Sequence, residues 1–153
     1  MKVEYLIFEG DMIYSELVRR ACQIMYDAHK EDVDNGGYPY VFHPFYLATQ
    51  MDTEQEICVA MLHDVVEDHD DKYSFEYLQE QGFTEEIIDA IKLLTHKKGV
   101  DYMDYIKLLS VNPIARKVKM ADIKHNMDSS RTNGIKSKKY DLYVKALNYL
   151  ENL

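Results

Sequence analysis

Three carboxylates and an imidazole are packed into one short apolar stretch of this chain, Val59-Ala60-Met61-Leu62-His63-Asp64-Val65-Val66-Glu67-Asp68. A helix turns by about 100° per residue, so on one helical stretch His63 stacks over Glu67 and Asp64 over Asp68. Met61-Leu62 and Val65-Val66 need a core, while the four polar groups need a shared site. Like charges at that spacing repel unless a cation neutralises them, and a bound metal ion is the simplest neutraliser. A solvated acidic helix end is the bland alternative, and the valines between the polar pairs weigh against it.

Two further residues extend the set. His43 lies in Pro39-Tyr40-Val41-Phe42-His43-Pro44, at the expected start of a helix where proline is tolerated. Asp122 interrupts the apolar face of Val118-Lys119-Met120-Ala121-Asp122-Ile123, and Asn126 follows one turn later. A carboxylate among apolar neighbours needs a partner. Two imidazoles with two carboxylates, His43, His63, Asp64 and Asp122, form a nitrogen and oxygen donor set suited to Mn, Fe, Zn or Ni.

The pattern around these residues is helical almost throughout, with no period-two run long enough to require a sheet. Asp11 is expected to cap a first helix running to about Glu31, and Asp34-Asn35-Gly36-Gly37 reads as a turn. A short helix follows His43-Pro44. Thr53 with Glu56 forms a capping box that opens the helix carrying the His-Asp run. Ser74 caps a short helix ending at Gly82, and Thr84 caps another reaching about His96, each closed by a glycine. Asn112-Pro113 starts the helix that holds Asp122. The last helix begins near Ser137. Residues 1–10 read as a possible N-terminal arm.

With 153 residues and 46% hydrophobic content, the expectation is one compact domain, spanning 1–153, with a real core. Cys22 and Cys58 lack a Cys-x-x-Cys spacing, which points to a reducing cytoplasm and not to a disulfide scaffold. No apolar run approaches a membrane span, and the first residues are too short and acidic for a signal sequence. A net charge of −9 without a basic stripe weighs against a nucleic-acid polymer as partner.

His43, His63-Asp64 and Asp122 resemble the metal-binding pattern of the HD-domain phosphohydrolases. More narrowly, the chain resembles the hydrolase domain of RelA/SpoT-type proteins and the small stand-alone alarmone hydrolases. Four blocks carry the likeness in order: Ala28-His29, Gly37 to Pro44, Leu62 to Asp68, and Lys119 to Met127. The resemblance implies an all-α HD-domain helical bundle without the synthetase and regulatory domains of the long proteins. It also implies a divalent metal, Mn²⁺ being the first candidate, and a small phosphorylated, nucleotide-like substrate.

A metal at the four ligands would lower the pKa of a bound water and polarise phosphorus. Glu67 and Asp68, one turn away, stand where a general base or acid is needed, and the similar hydrolases assign this pair to catalysis. Asn126 resembles the family's substrate-contacting asparagine, and Tyr143 matches a tyrosine placed near the nucleotide. Lys119 is a candidate phosphate contact. His29 and His125 read as packing and hydrogen-bonding residues, and His69 and His96 as exposed ones.

The chain departs from the family in two places. Its loop before the Pro-Tyr segment is Asp32-Val33-Asp34-Asn35-Gly36-Gly37 where a glutamine and a basic residue are usual, and Ile123 stands where arginine is common. Acids facing a highly charged alarmone would cost affinity. The expected function is a metal-dependent phosphohydrolase with the 3′-pyrophosphate of guanosine tetra- or pentaphosphate as first candidate. The alternatives are another nucleotide or small phosphate ester, and, in a different class, a non-catalytic nucleotide-binding regulatory module.

Overall fold

A computed structural model describes residues 12–153, and these are helical with no β-strand among them. In chain order the helices are α1 (Glu16–His29), α2 (Phe42–Thr49), α3 (Glu54–Leu62), α4 (Val65–Asp68), α5 (Phe75–Glu80), α6 (Glu85–Leu94), α7 (Tyr102–Leu109), α8 (Pro113–Met127) and α9 (Tyr140–Glu151). A 3₁₀ turn, Ser129–Thr132, joins the last two.

The middle of the bundle is α3. Every residue from Ile57 to Leu62 is buried, because helices α1, α2, α6 and α8 surround it. A helix apolar on all sides has no other stable place. Its start is the expected capping box: Thr53 Oγ1 accepts from the Glu56 N–H, and Glu56 Oε2 accepts from the Thr53 N–H. Ser74, Thr84 and Asn112 cap α5, α6 and α8 as read from the sequence, each accepting from a backbone N–H three residues on. On α8 the buried stripe is Ala115, Val118, Asp122 and Ile123, a spacing of three and four that leaves one carboxylate in an apolar line.

Several boundaries differ from expectation. The N-terminal arm and Asp11 lie outside the described residues, while residues 12–15 are non-helical and α1 begins only after Ser15, whose Oγ accepts from the Val18 N–H. It ends at His29, two residues early. Helix α7, capped by Asp101, has no counterpart among the elements expected from sequence. The final helix is preceded by a turn in which Ser137 accepts from Lys139 and Tyr140, so regular helix starts at Tyr140.

The largest correction concerns the His-Asp run, which is not one helix. Helix α3 stops at Leu62, Asp64 sits at φ −106° and ψ −2°, and α4 begins at Val65. The cause is local: His63 Nδ1 lies 2.7 Å from the Ala60 carbonyl, which a continuing helix would give to the Asp64 N–H. The ring has taken the acceptor, and the chain bends there.

Ile123 is fully buried, so the site that carries arginine in similar proteins belongs here to the core. Ile123→Ala should lower stability by about 2–5 kcal/mol, the usual cost of such a cavity, read from a denaturant midpoint. A loss below ~1 kcal/mol would mean that the α8 stripe is loosely packed.

Candidate functional site

The bend directs His63 into the bundle, where α2 and α8 bring their own polar residues. His43, His63 and Asp122 each offer a ligand atom within 4.8 Å of the others, and all three are buried. His43 Nε2 is 2.9 Å from Asp122 Oδ1, and His63 Nε2 is 3.8 Å from the same oxygen. Asp64 Oδ2 approaches from the side, 3.1 Å from His63 Nε2. The structure therefore brings three of the four residues proposed from sequence as ligands into one group, with Asp64 touching it through His63.

His63 carries the most specific information. Its Nδ1 must donate, because a carbonyl can only accept, so in the neutral ring the lone pair is on Nε2. That atom is buried and has no hydrogen-bond partner among the described residues. An imidazole oriented by a backbone carbonyl, with its free nitrogen facing two carboxylates, is how metal-binding histidines are held.

Charge in the cluster is tightly balanced. Burial would raise the Asp122 carboxyl, but Lys119 beside it, the hydrogen bond with His43 and the nearby His63 ring hold it well below the ordinary range. Lys119 Nζ lies 2.8 Å from Asp122 Oδ2 and sits over the Tyr105 ring at 5.2 Å. Burial likewise works to raise Asp64, yet His63 lowers it to about 2. His63 is pushed the other way: burial opposes its protonation, and Asp64 and Asp122 outweigh that and raise it well above the usual imidazole value. Two carboxylates, Asp64 and Asp122, face one buried ring nitrogen, an arrangement that favours a cation between them.

Glu67 and Asp68 remain near the surface on α4. Glu67 Oε1 accepts from the His96 N–H at 2.6 Å, which aims that carboxylate. Burial first, then repulsion from Asp64 and Glu67, raises the Asp68 carboxyl to about 7. Asn126 Nδ2 donates to Asp122 Oδ1 at 3.0 Å, so it lies at the cluster as expected. Tyr143 is one ring further out, tilted against Tyr102 at 6.3 Å. Lys119 is spent on Asp122 and faces two tyrosines.

Sequence reading missed Tyr40 and Arg131. The Tyr40 hydroxyl donates to Asp64 Oδ2. Its place three residues before His43 was the one sequence cue, and its carbonyl accepts the His43 N–H in the fold. Arg131, in the 3₁₀ turn, donates to the His125 carbonyl at 2.9 Å and to Asn126 Oδ1 at 3.3 Å, and reaches Asp34 at 3.6 Å. A side chain at Gly36 would collide with the Arg131 carbonyl, so the loop approaches this closely only with glycine there.

His125 packs and hydrogen-bonds as expected, with Nδ1 2.7 Å from His43 Nδ1 and its ring stacked 4.2 Å from Tyr46. The two histidines read as exposed are half-buried instead. His96 stacks on Tyr105 and reaches the Val100 carbonyl, and His69 reaches Asp32. Two clefts open beside the Tyr46–His125 stack and not on the cluster itself. One of about 420 Å³ is lined by Tyr38, Phe42, Phe45, Tyr46 and His125, with Arg131 and its ion-pair partner Asp34 at the polar side.

No family model matches the chain. Its fold is nevertheless that of a solved structure, a metazoan ortholog of SpoT described as hydrolysing ppGpp and playing a role in starvation responses. The two superpose with a TM-score of 0.70 over 92% of this chain and 88% of that one, at 21% identity. The all-helical bundle expected from the sequence is the bundle found, and its fold is shared with that structure.

The acidic loop does not present its charge as the sequence suggested. Asp34 Oδ1 accepts from the Gly36 and Tyr38 N–H groups, each at 2.9 Å, and its second oxygen faces Arg131. Asp34→Arg should therefore lose two turn hydrogen bonds and place two guanidinium groups together. A destabilisation on the order of 2 kcal/mol by chemical denaturation, without tighter binding of a polyphosphate, is the expected result. A variant as stable as the parent would show that the turn does not depend on Asp34.

Proposed function

We propose that this chain is a divalent-metal-dependent phosphohydrolase acting on a small nucleotide-like substrate, with the 3′-pyrophosphate of a guanosine tetra- or pentaphosphate as first candidate. The observation that carries the reading is the buried, unpartnered Nε2 of His63 facing Asp64 and Asp122, with His43 alongside. That donor set fits a first-row divalent ion with positions left for water and a phosphate oxygen, and Mn²⁺ is the candidate taken first. The fold shared with a ppGpp-hydrolysing protein agrees with it. Free Cys22 and Cys58 fit a reducing, cytoplasmic setting, and the absence of a basic stripe fits a small-molecule substrate and not a nucleic-acid polymer.

His43, His63, Asp64 and Asp122 would hold the ion, which when bound supplies Lewis-acid activation of water and of the phosphoryl group. Tyr40 holds Asp64 in place, and Asn126 steadies Asp122. Asp68, whose carboxyl is raised by burial and by the neighbouring acids, is placed for acid or base work, and Glu67 is fixed beside it by the His96 N–H. Tyr38, Phe42, Phe45 and Tyr46 offer aromatic faces for a base, and Arg131 offers a guanidinium for phosphate. Tyr143 and Lys119 are assigned to the rim and to charge balance.

Two experiments bear on this. Asp64→Ala and Asp122→Ala should each abolish metal-dependent hydrolysis of the tetraphosphate together with Mn²⁺ binding measured by calorimetry. Full Mn²⁺ binding in both variants would sink the four-ligand assignment. Glu67→Gln and Asp68→Asn should instead keep Mn²⁺ and lose turnover by roughly a hundredfold or more. The amide oxygen introduced by Glu67→Gln still accepts from the His96 N–H, so unchanged turnover in that variant would remove Glu67 from the chemistry.

A further inference from the structure

A second set of metal-binding side chains lies on the far side of Tyr40, where the end of α1, the 30–41 loop and the end of α4 meet. His29 is the last residue of α1 and is fully buried, and His69 follows α4 directly. Both point a ring nitrogen at the same oxygen of Asp32: His29 Nδ1 is 2.8 Å from Oδ2, and His69 Nε2 is 2.6 Å from it. The three ligand atoms lie within 4.8 Å of one another. The two rings meet edge to face at 5.1 Å, so they converge from different directions.

A latch between α1 and the loop would need one such bond. Two imidazoles from separate helices converging on a single carboxylate oxygen are three parts of a tetrahedral nitrogen and oxygen shell. The side chains of His69 and Asp32 are 24% and 33% exposed, which leaves the fourth side open to water. Ligands ~2.0 Å from Zn²⁺ at tetrahedral angles are about 3.3 Å apart, so the carboxylate needs to withdraw by roughly half an ångström. Asp32 is on a loop and partly exposed, and can do so without moving the core.

We infer that His29, Asp32 and His69 form a second divalent-metal site of the zinc class, separate from the His43–His63–Asp122 cluster. Its place gives it a positioning role. The Tyr40 ring lies 4.8 Å from His29 and 5.6 Å from His43, and its hydroxyl holds Asp64. An ion joining α1, the loop and α4 would fix Tyr40 and the α4 residue Asp68 from behind. This inference stands whether or not the first cluster turns over phosphate esters.

The test uses the full chain, stripped with chelator and titrated with Zn²⁺ or Co²⁺. Mass-spectrometric metal analysis should find about two equivalents in the parent and about one in His69→Gln or Asp32→Asn. Asp122→Ala should retain about one, and adding His69→Gln should remove it. Co²⁺ should give strong tetrahedral visible absorption in the parent and in Asp122→Ala that is lost in His69→Gln, while circular dichroism shows each variant folded. A parent that holds a single equivalent, lost on Asp122→Ala, would overturn the second site and leave the first intact. Unchanged Zn²⁺ stoichiometry in both His69→Gln and Asp32→Asn would overturn it as well.

Discussion

The carboxylate of Asp122 sets the terms for the whole bundle. It stands 5% exposed in the apolar stripe of α8, where an uncompensated charge would cost several kcal/mol. Compensation comes from three directions. Lys119 and Asn126 reach it along the same helix, His43 reaches it from α2, and His63 comes within 3.8 Å from the bend after α3. The His43, Lys119 and Asn126 contacts are short, so α2 and α8 can slide past one another very little without leaving a buried charge poorly compensated. The polar cluster is thus a register device for the fold as well as a place for chemistry.

The bend at His63-Asp64 belongs to the same constraint. A straight helix through residue 68 would satisfy the Ala60 carbonyl with a backbone N–H and leave the His63 ring to find another partner. By donating its Nδ1 proton to Ala60, His63 ends α3 and frees Nε2 to face Asp64 and Asp122. Sequence periodicity sees only the alternation of polar and apolar residues, which continues smoothly across the break. It has no means of showing that a side chain has displaced a backbone donor.

Features that depend on neighbours in sequence were legible, and those that depend on pairing across the chain were not. The caps at Thr53, Ser74, Thr84 and Asn112 are local chemistry between residues three apart, and each stands where it was read. The candidate ligand residues were legible as a set because a histidine or aspartate on an apolar face is itself the signal. Tyr40 gave little notice, since one tyrosine among 13 is marked only by what it touches. Arg131 lies nearly a hundred residues from Asp34, and nothing in either segment announces the pair. The same limit hid the partners of Asp32, whose two histidines come from the ends of different helices.

That pairing changes what a net charge of −9 means for a phosphorylated substrate. Asp32 is held by two imidazoles, Asp34 by Arg131 and two backbone N–H groups, Asp122 by Lys119, and Asp52 with Glu56 by Lys117. These acids are satisfied within the protein, and much of their field is cancelled at close range. Glu67 and Asp68 are the acids left facing outward near the cluster, and a divalent ion would offset both. Exposed charges further off are screened beyond a Debye length of about 8 Å at physiological salt. The surface a ligand meets beside His125 is therefore set more by Tyr38, Phe42, Phe45 and Tyr46 than by formal charge. Stacking on such rings discriminates by the shape and flatness of a base and depends little on ionic strength. Under the proposed function, selection for a nucleotide and tolerance of an acidic chain are compatible, because recognition of the base and neutralisation of the phosphate would fall to different residues.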